Sequence, residues 1–326
     1  MHRIVITDYE FADLAPEREV LDRSGIELVT GPFDSREALI DACRGADAII
    51  NQYVQLDAGF IAALERCVVI CRYGIGVNTI DVPAATAAGI MVANVPDGSI
   101  DDVSDHAAAM ILSLARGLGT YDRAMRSGEW DYAAAKPLHR LRGKTLGLVG
   151  FGNIPRRLAE KMRAFGMEIA AYDPFVPDDA VCDAGAVPLA LDALMGASDV
   201  VSVHVPLNDR TRAMIGREQL ALLRPTAFVV NTARGGVIDE AALADALRSG
   251  SVRGAGLDVF ESEPIGAGSE ILSLPGIVLS PHCAWYSEES EHEIRTKTAQ
   301  NAVSALFGGR PDYLFNTDVH PRVTVR

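Results

Sequence analysis

Three short segments carry the chain's candidate chemistry: NTARGGVID (231–239), GLDVFESEP (256–264) and SPHCAWYS (280–287). They supply one guanidinium, Arg234, one carboxylate, Glu263, and one imidazole, His282. An imidazole changes charge near neutrality, so it can give or take a proton, and a carboxylate beside it fixes the ring and favours its charged form. A guanidinium can grip a planar oxyanion through a two-pronged fork, as an ammonium cannot. Taken singly, each residue is ordinary. An arginine after a strand is usually solvated or paired, and a histidine beside proline usually sits in a turn. Each segment begins at or just after an expected strand end, where open α/β sheets place their ligands.

Upstream lies LVGFGNIPRR (148–157). It follows an apolar run, TLGLVG, and opens an amphipathic stretch, RRLAEKMRAFG. A second run, EIAAYD, then ends in Asp173, 21 residues after Gly152. Strand, glycine turn, helix, strand and acid together make a dinucleotide-binding unit. Gly150 permits the tight turn, Gly152 lets the backbone approach a pyrophosphate, and the helix N-terminus adds N–H groups and positive partial charge. Pro155 stands where the third glycine of the pattern belongs. In a first helical turn its fixed φ suits the helix and its missing N–H is not needed, so a working site with slightly looser helix packing is expected. Asp173 would accept hydrogen bonds from ribose hydroxyls and repel a 2′-phosphate, which favours NAD over NADP.

The elements that must position these residues follow a regular rhythm. Apolar runs at 3–7, 26–29, 46–50, 67–71, 90–93, 145–149, 168–172, 199–203, 226–231, 253–258 and 277–280 read as strands. Amphipathic stretches such as SREALIDACRG, DVPAATAAGI and DEAALADALRSG alternate with them, which implies parallel sheets covered by helices. Two longer helices, near 101–118 and 286–307, interrupt the alternation. The expected fold is therefore α/β with two doubly wound parallel-sheet domains. Residues 1–100 plus 295–326 would form one, and 101–294, inserted within it, the other.

Bulk composition narrows the function further. Forty-four acidic residues against 30 basic give a net charge of −14, which argues against nonspecific nucleic-acid binding. The five cysteines include no C-x-x-C pair, so reduced buried thiols and no metal are expected. The N-terminus enters a strand at once and no run of about 18 apolar residues occurs, so no membrane span and a cytoplasmic address are expected.

Several ordered stretches carry a resemblance: RYGIGVNTID, NVPDGSIDDVSDHAAAMILSLAR, the glycine loop, VHVPLNDRTRAMI, NTARGGVID, and the Glu and His segments. With them the chain resembles the NAD-dependent D-isomer-specific 2-hydroxyacid dehydrogenases over nearly its whole length. SPHCAWYSEES looks most like the C-terminal-binding-protein (CtBP-like) branch. The resemblance implies a Rossmann NAD domain inserted into a flavodoxin-like substrate domain, and interconversion of a D-2-hydroxy acid with its 2-keto acid. It implies His282 as general acid and base, Glu263 as its partner and Arg234 as substrate clamp. Gly150, Gly152, Asn153, Ile154, Asp173, His204, Pro206, Thr232, Ala233 and Asp258 would bind NAD, with Asp258 on the nicotinamide carboxamide. Tyr73, Gly74, Ile75 and Gly76 would bind the substrate carboxylate through their loop, and Trp285 would wall the side-chain pocket. His106 and His292 receive no such role. A homodimer through about 112–141 is implied as well. The alternatives are an NAD(H)-sensing CtBP-like scaffold and D-3-phosphoglycerate dehydrogenase.

Overall fold

The computed structural model describes residues 1–322. The chain divides into two compact units, Met1–Ser99 with the residues from Ser287 onward, and Ile100–Tyr286. The second crossing thus falls at 286/287 rather than the expected 294/295. Helix Glu288–Leu306, capped by the Ser287 hydroxyl on the Ser290 N–H, packs along its length on the first unit's strands, so the boundary lies at its cap. The last four residues of the expected segment lie outside the described residues.

The first unit contains five strands: β1 (Arg3–Ile6), β2 (Glu27–Thr30), β3 (Ala48–Asn51), β4 (Val69–Arg72) and β5 (Met91–Ala93). They pair in parallel in the order β2-β1-β3-β4-β5, the flavodoxin-like arrangement. β3 is buried at every position, as an apolar run covered on both faces should be. Ser35, Asp57 and Asp81 each cap the helix that follows by accepting a backbone N–H, which fixes where the helices start.

The second unit contains β6 (Thr145–Val149), β7 (Glu168–Tyr172), β8 (Val187–Pro188), β9 (Val200–Val203), β10 (Phe228–Asn231), β11 (Gly254–Leu257) and β12 (Ile277–Leu279). Their order, β12-β11-β10-β9-β6-β7-β8, is the Rossmann order with one strand added, and every pairing is parallel. The order reverses between β6 and β9, which marks the crevice where such sheets bind ligands. Two apolar clusters build the unit. One gathers Leu243, Val229 and Ile215; the other packs helix Ile100–Arg116 and helix Asn153–Ala164 around Leu146, Leu148 and Val230.

All eleven apolar runs form strands; β8, two residues long, has no period for a sequence to show. The helix expected over 101–118 ends at Arg116. Gly117, at φ +62°, turns the chain into a separate helix, Leu118–Arg126. Among the described residues, no helix is long and apolar enough to cross a membrane.

Candidate active site

Six strands of the second sheet run into a residue of the candidate site. β6 leads into Gly150, β7 into Asp173, β9 into His204, β10 into Thr232, β11 into Asp258, and β12 into Ser280, two residues before His282. Parallel pairing puts these six ends on one edge. The backbone ladder continues just beyond it: His204 donates to the Val149 carbonyl, Asp258 to Asn231, and Ser280 to Leu257.

The glycine loop is built by backbone. Gly150 lies at φ +95°, and a Cβ there would stand 2.8 Å from the His204 carbonyl oxygen, so conformation and space both demand glycine. Gly152 differs: nothing lies within 4 Å of a Cβ built on it. It is the N-cap of helix Asn153–Ala164 and offers no side-chain cap. Asn153 and Ile154 follow as the first two helical residues. Pro155 is buried in the first turn. The first intrahelical bond runs from the Arg156 N–H to the Gly152 carbonyl (3.3 Å), so proline removes no helical hydrogen bond. Asp173 is held at the loop: Oδ2 accepts the Phe151 N–H (2.8 Å) and Oδ1 the Phe175 N–H (2.9 Å). An ionised carboxylate keeps further lone pairs for ribose hydroxyls.

These residues fit a dinucleotide on three counts: open space before Gly152, uncapped N–H groups at a helix start, and an orphan. The Thr232 hydroxyl is buried at the end of β10 without a hydrogen-bond partner in the protein, and a buried polar atom normally has one. Close by along the same edge, His204 contacts the Ser202 hydroxyl through Nε2 (2.8 Å), and burial pushes its pKa down to about 3, so it is a neutral ring at physiological pH. Pro206 is exposed, Thr232 buried and Ala233 half-buried, its N–H donating to the Asn231 side chain.

Side chains build the other half of the edge. His282 Nδ1 lies 2.6 Å from Glu263 Oε2, and Glu263 Oε1 accepts the Phe260 N–H at 2.9 Å. Burial alone would raise the Glu263 pKa. The hydrogen bonds from His282 and Phe260, with the His282 and Arg234 charges, outweigh it and hold the carboxyl below its usual value. Glu263 therefore stays an acceptor, Nδ1 is committed to it, and Nε2 is the ring nitrogen left for substrate. Arg234 shares this electrostatic neighbourhood, and its Nη1 donates to the Ala233 carbonyl (2.6 Å).

The turn that carries His282 is strained. Its φ is +53°, a left-handed conformation that costs a non-glycine residue about 1–2 kcal/mol. Asp258, 1 % exposed, holds the turn from below: its Oδ1 accepts the Cys283 N–H and its Oδ2 the Ala284 N–H, both at 2.9 Å, while its own carbonyl accepts the His282 N–H at 2.7 Å. Trp285 closes the turn, its indole N–H donating to the His282 carbonyl (3.1 Å). Two residues unassigned from sequence join this group. Ser280 donates to Asp258 Oδ1 (2.6 Å), and His106 Nε2 lies 2.8 Å from the Ser280 hydroxyl. No spacing in the chain ties position 106 to 258 and 280; only the packing of helix Ile100–Arg116 over β11 and β12 does.

His106, Asp258 and Cys283 also offer nitrogen, oxygen and sulfur atoms within 4.8 Å of one another, as a metal site would. The Ser280 hydroxyl already hydrogen-bonds two of the three. All five cysteines are free. Cys43, Cys67 and Cys71 are buried as expected, and burial pushes the first two thiols up to about 12. Cys182 is exposed and Cys283 half-buried, so the expectation of burial fails for these two.

In the first unit, the Tyr73–Gly76 loop leaves β4. Gly74 takes φ +97°, and a Cβ there would collide with the Arg72 guanidinium. The Ile75 carbonyl accepts from the Asn94 side chain (2.8 Å). Tyr73 is 3 % exposed, its hydroxyl donating to buried Glu17 (2.8 Å) and its ring edge-on to Phe11. Its side chain therefore anchors the loop from within the first unit.

Comparison with known proteins follows the same lines. The model of the D-isomer specific 2-hydroxyacid dehydrogenase NAD-binding domain matches residues 108–284. D-3-phosphoglycerate dehydrogenase of Mycobacterium tuberculosis is 36 % identical over 288 residues, 88 % of this chain and 54 % of that one. The chain thus spans about half the length of that relative. Glyoxylate reductase of Korarchaeum cryptofilum is 36 % identical over 289 residues, 87 % of each chain. The crystal structure of a glyoxylate reductase from Paecilomyes thermophila superposes with a TM-score of 0.87 at 32 % identity, covering 97 % of this chain and 98 % of that one.

Proposed function

Because the chain belongs to the D-isomer specific 2-hydroxyacid dehydrogenase family, we propose that it interconverts a D-2-hydroxy acid and its 2-keto acid with NAD. The observation that carries this reading is the 2.6 Å contact of His282 Nδ1 with a carboxylate kept ionised, at the edge shared with the glycine loop.

The N–H groups of Gly152, Asn153 and Ile154 hold the pyrophosphate, Asp173 the ribose, and His204, Pro206, Thr232 and Ala233 line the remainder. Asp258 Oδ2 accepts one N–H from Ala284 and has a lone pair left for the carboxamide. Bound nicotinamide supplies or accepts the hydride. His282 Nε2 gives its proton to the keto oxygen in reduction and takes the hydroxyl proton in oxidation. Glu263 holds the ring and stabilises the imidazolium. Arg234 clamps the substrate carboxylate and carbonyl in its fork. Trp285, in the same turn as His282, contacts the substrate side chain.

The names of the relatives mark two substrates to separate: glyoxylate and the keto form of 3-phosphoglycerate. NADH consumption measured over 2-keto acids of graded side-chain size, these two included, should show turnover with at least one. NADH binding with no turnover across the panel would refute the enzymatic reading. It would favour instead an NAD(H)-sensing protein of the CtBP-like branch, a reading that rests on SPHCAWYSEES.

A homodimer is the proposed assembly. Helix Leu118–Arg126 buries none of its side chains on its own chain, and Leu118, Met125, Trp130 and Tyr132 are exposed, Trp130 at 89 %. This exposed apolar surface supports a partner-binding role for the segment. A monomer by light scattering at micromolar concentration would contradict it.

A further inference from the structure

We propose that His106 is a positioning residue for the His282 turn, acting through Ser280 and Asp258. The inference deepens the dehydrogenase reading and rests on His282 being the proton carrier.

The chemistry of the three groups fixes the direction of the relay. Asp258, 1 % exposed, accepts the Cys283 and Ala284 N–H groups and the Ser280 hydroxyl, so the 2.6 Å contact with Ser280 Oγ uses the single serine proton. The serine oxygen must then accept at its 2.8 Å contact with His106 Nε2. His106 is therefore a donor at Nε2, and each link orients the next. A rotated Ser280 would lose both partners.

Asp258 spends its carboxylate on the backbone of the turn, at Cys283 N and Ala284 N. Those two amides immediately follow His282, whose φ of +53° persists only if its surroundings over-determine it. A carboxylate free to rotate would satisfy the two amides in several ways. One locked by Ser280 and His106 permits a single arrangement, and the imidazole inherits it. His106 enters from helix Ile100–Arg116, where Met110, one turn on, seats against Gly256 of β11. The relay thus ties the proton carrier to the rigid interior and not to its own loop. No proton need move along it during turnover.

The test compares His106→Leu, His106→Gln and Ser280→Ala in the full chain. Glutamine keeps an amide N–H about where the imidazole Nε2–H stood; leucine keeps the volume alone. Amide hydrogen exchange of Cys283 and Ala284, read without substrate, should quicken about tenfold in His106→Leu and Ser280→Ala and recover in His106→Gln. With the best keto acid, kcat should fall about tenfold in the first two variants with KM nearly unchanged, and recover in the third. Unchanged exchange in His106→Leu, or a glutamine variant as impaired as the leucine one, would overturn the proposal. If wild-type protein turns over no keto acid, the functional reading fails, while the exchange experiment still decides the relay.

Discussion

The two ends of the seven-stranded sheet's ligand edge solve different problems with different parts of the chain. At the β6–β7 end, Gly150, Gly152 and the start of helix Asn153–Ala164 present backbone, and what matters is the absence of side chains. At the β10–β12 end side chains matter: Glu263 holds the His282 ring, and His106, Ser280 and Asp258 in series hold the backbone of its turn, with Arg234 nearby. A cofactor's phosphates need N–H groups and room. A proton carrier needs a fixed ring and a fixed tautomer. The first requirement is met within one strand-turn-helix unit; the second draws on four separate elements.

That contrast yields tests of graded size. The largest effect belongs to the side-chain end. Arg234→Gln should lower kcat/KM for the best keto acid by about a hundredfold to a thousandfold, since removing one preorganised donor to the reacting group costs about that much. NADH affinity, measured by fluorescence titration, should change little. Equal losses in both would mean that the two ends are not separable.

At the backbone end, two alanine substitutions should behave oppositely. Gly150→Ala places a Cβ against the His204 carbonyl at positive φ and should cost about 1–2 kcal/mol of stability, read from urea midpoints. Gly152→Ala meets only open space, so the fold should keep its stability while NADH binds several-fold more weakly. A destabilised Gly152→Ala protein with normal NADH affinity would show that this opening is not where the pyrophosphate lies.

The smallest effect is a pH dependence at the seam between the ends. His204 is held at about 3 against an ordinary 6.5, so the folded chain binds its proton less readily than the unfolded chain. Its contribution to stability is full above about pH 6.5 and is lost as pH falls toward 3. Thermal midpoints should therefore drop less steeply across that window in His204→Asn than in wild type. Parallel curves would contradict the assignment.

The same contrast explains what the sequence could reveal. Eleven strands, the glycine turn and Asp173 were legible because each is a local pattern: an apolar run, a spacing, an acid at a strand end. Arg234, Glu263 and His282 were legible by residue type at strand ends, and the contact between the last two spans nineteen positions. His106 and Ser280 were not legible, because a histidine on a helix and a serine before proline carry no local sign of a partner. For Tyr73 the sequence points only to a place in the carboxylate loop; that its hydroxyl turns inward to Glu17 is a burial that no pattern in RYGIGVNTID announces.

The central claim is that His282 carries the proton while other residues hold the cofactor. The most direct measurement is His282→Asn studied by NADH titration and by turnover of the best keto acid in the same preparation. NADH affinity should stay within about twofold of wild type while the rate falls by about 10²–10⁴. A variant that turns over at the wild-type rate, or one that loses NADH binding along with the rate, would contradict it.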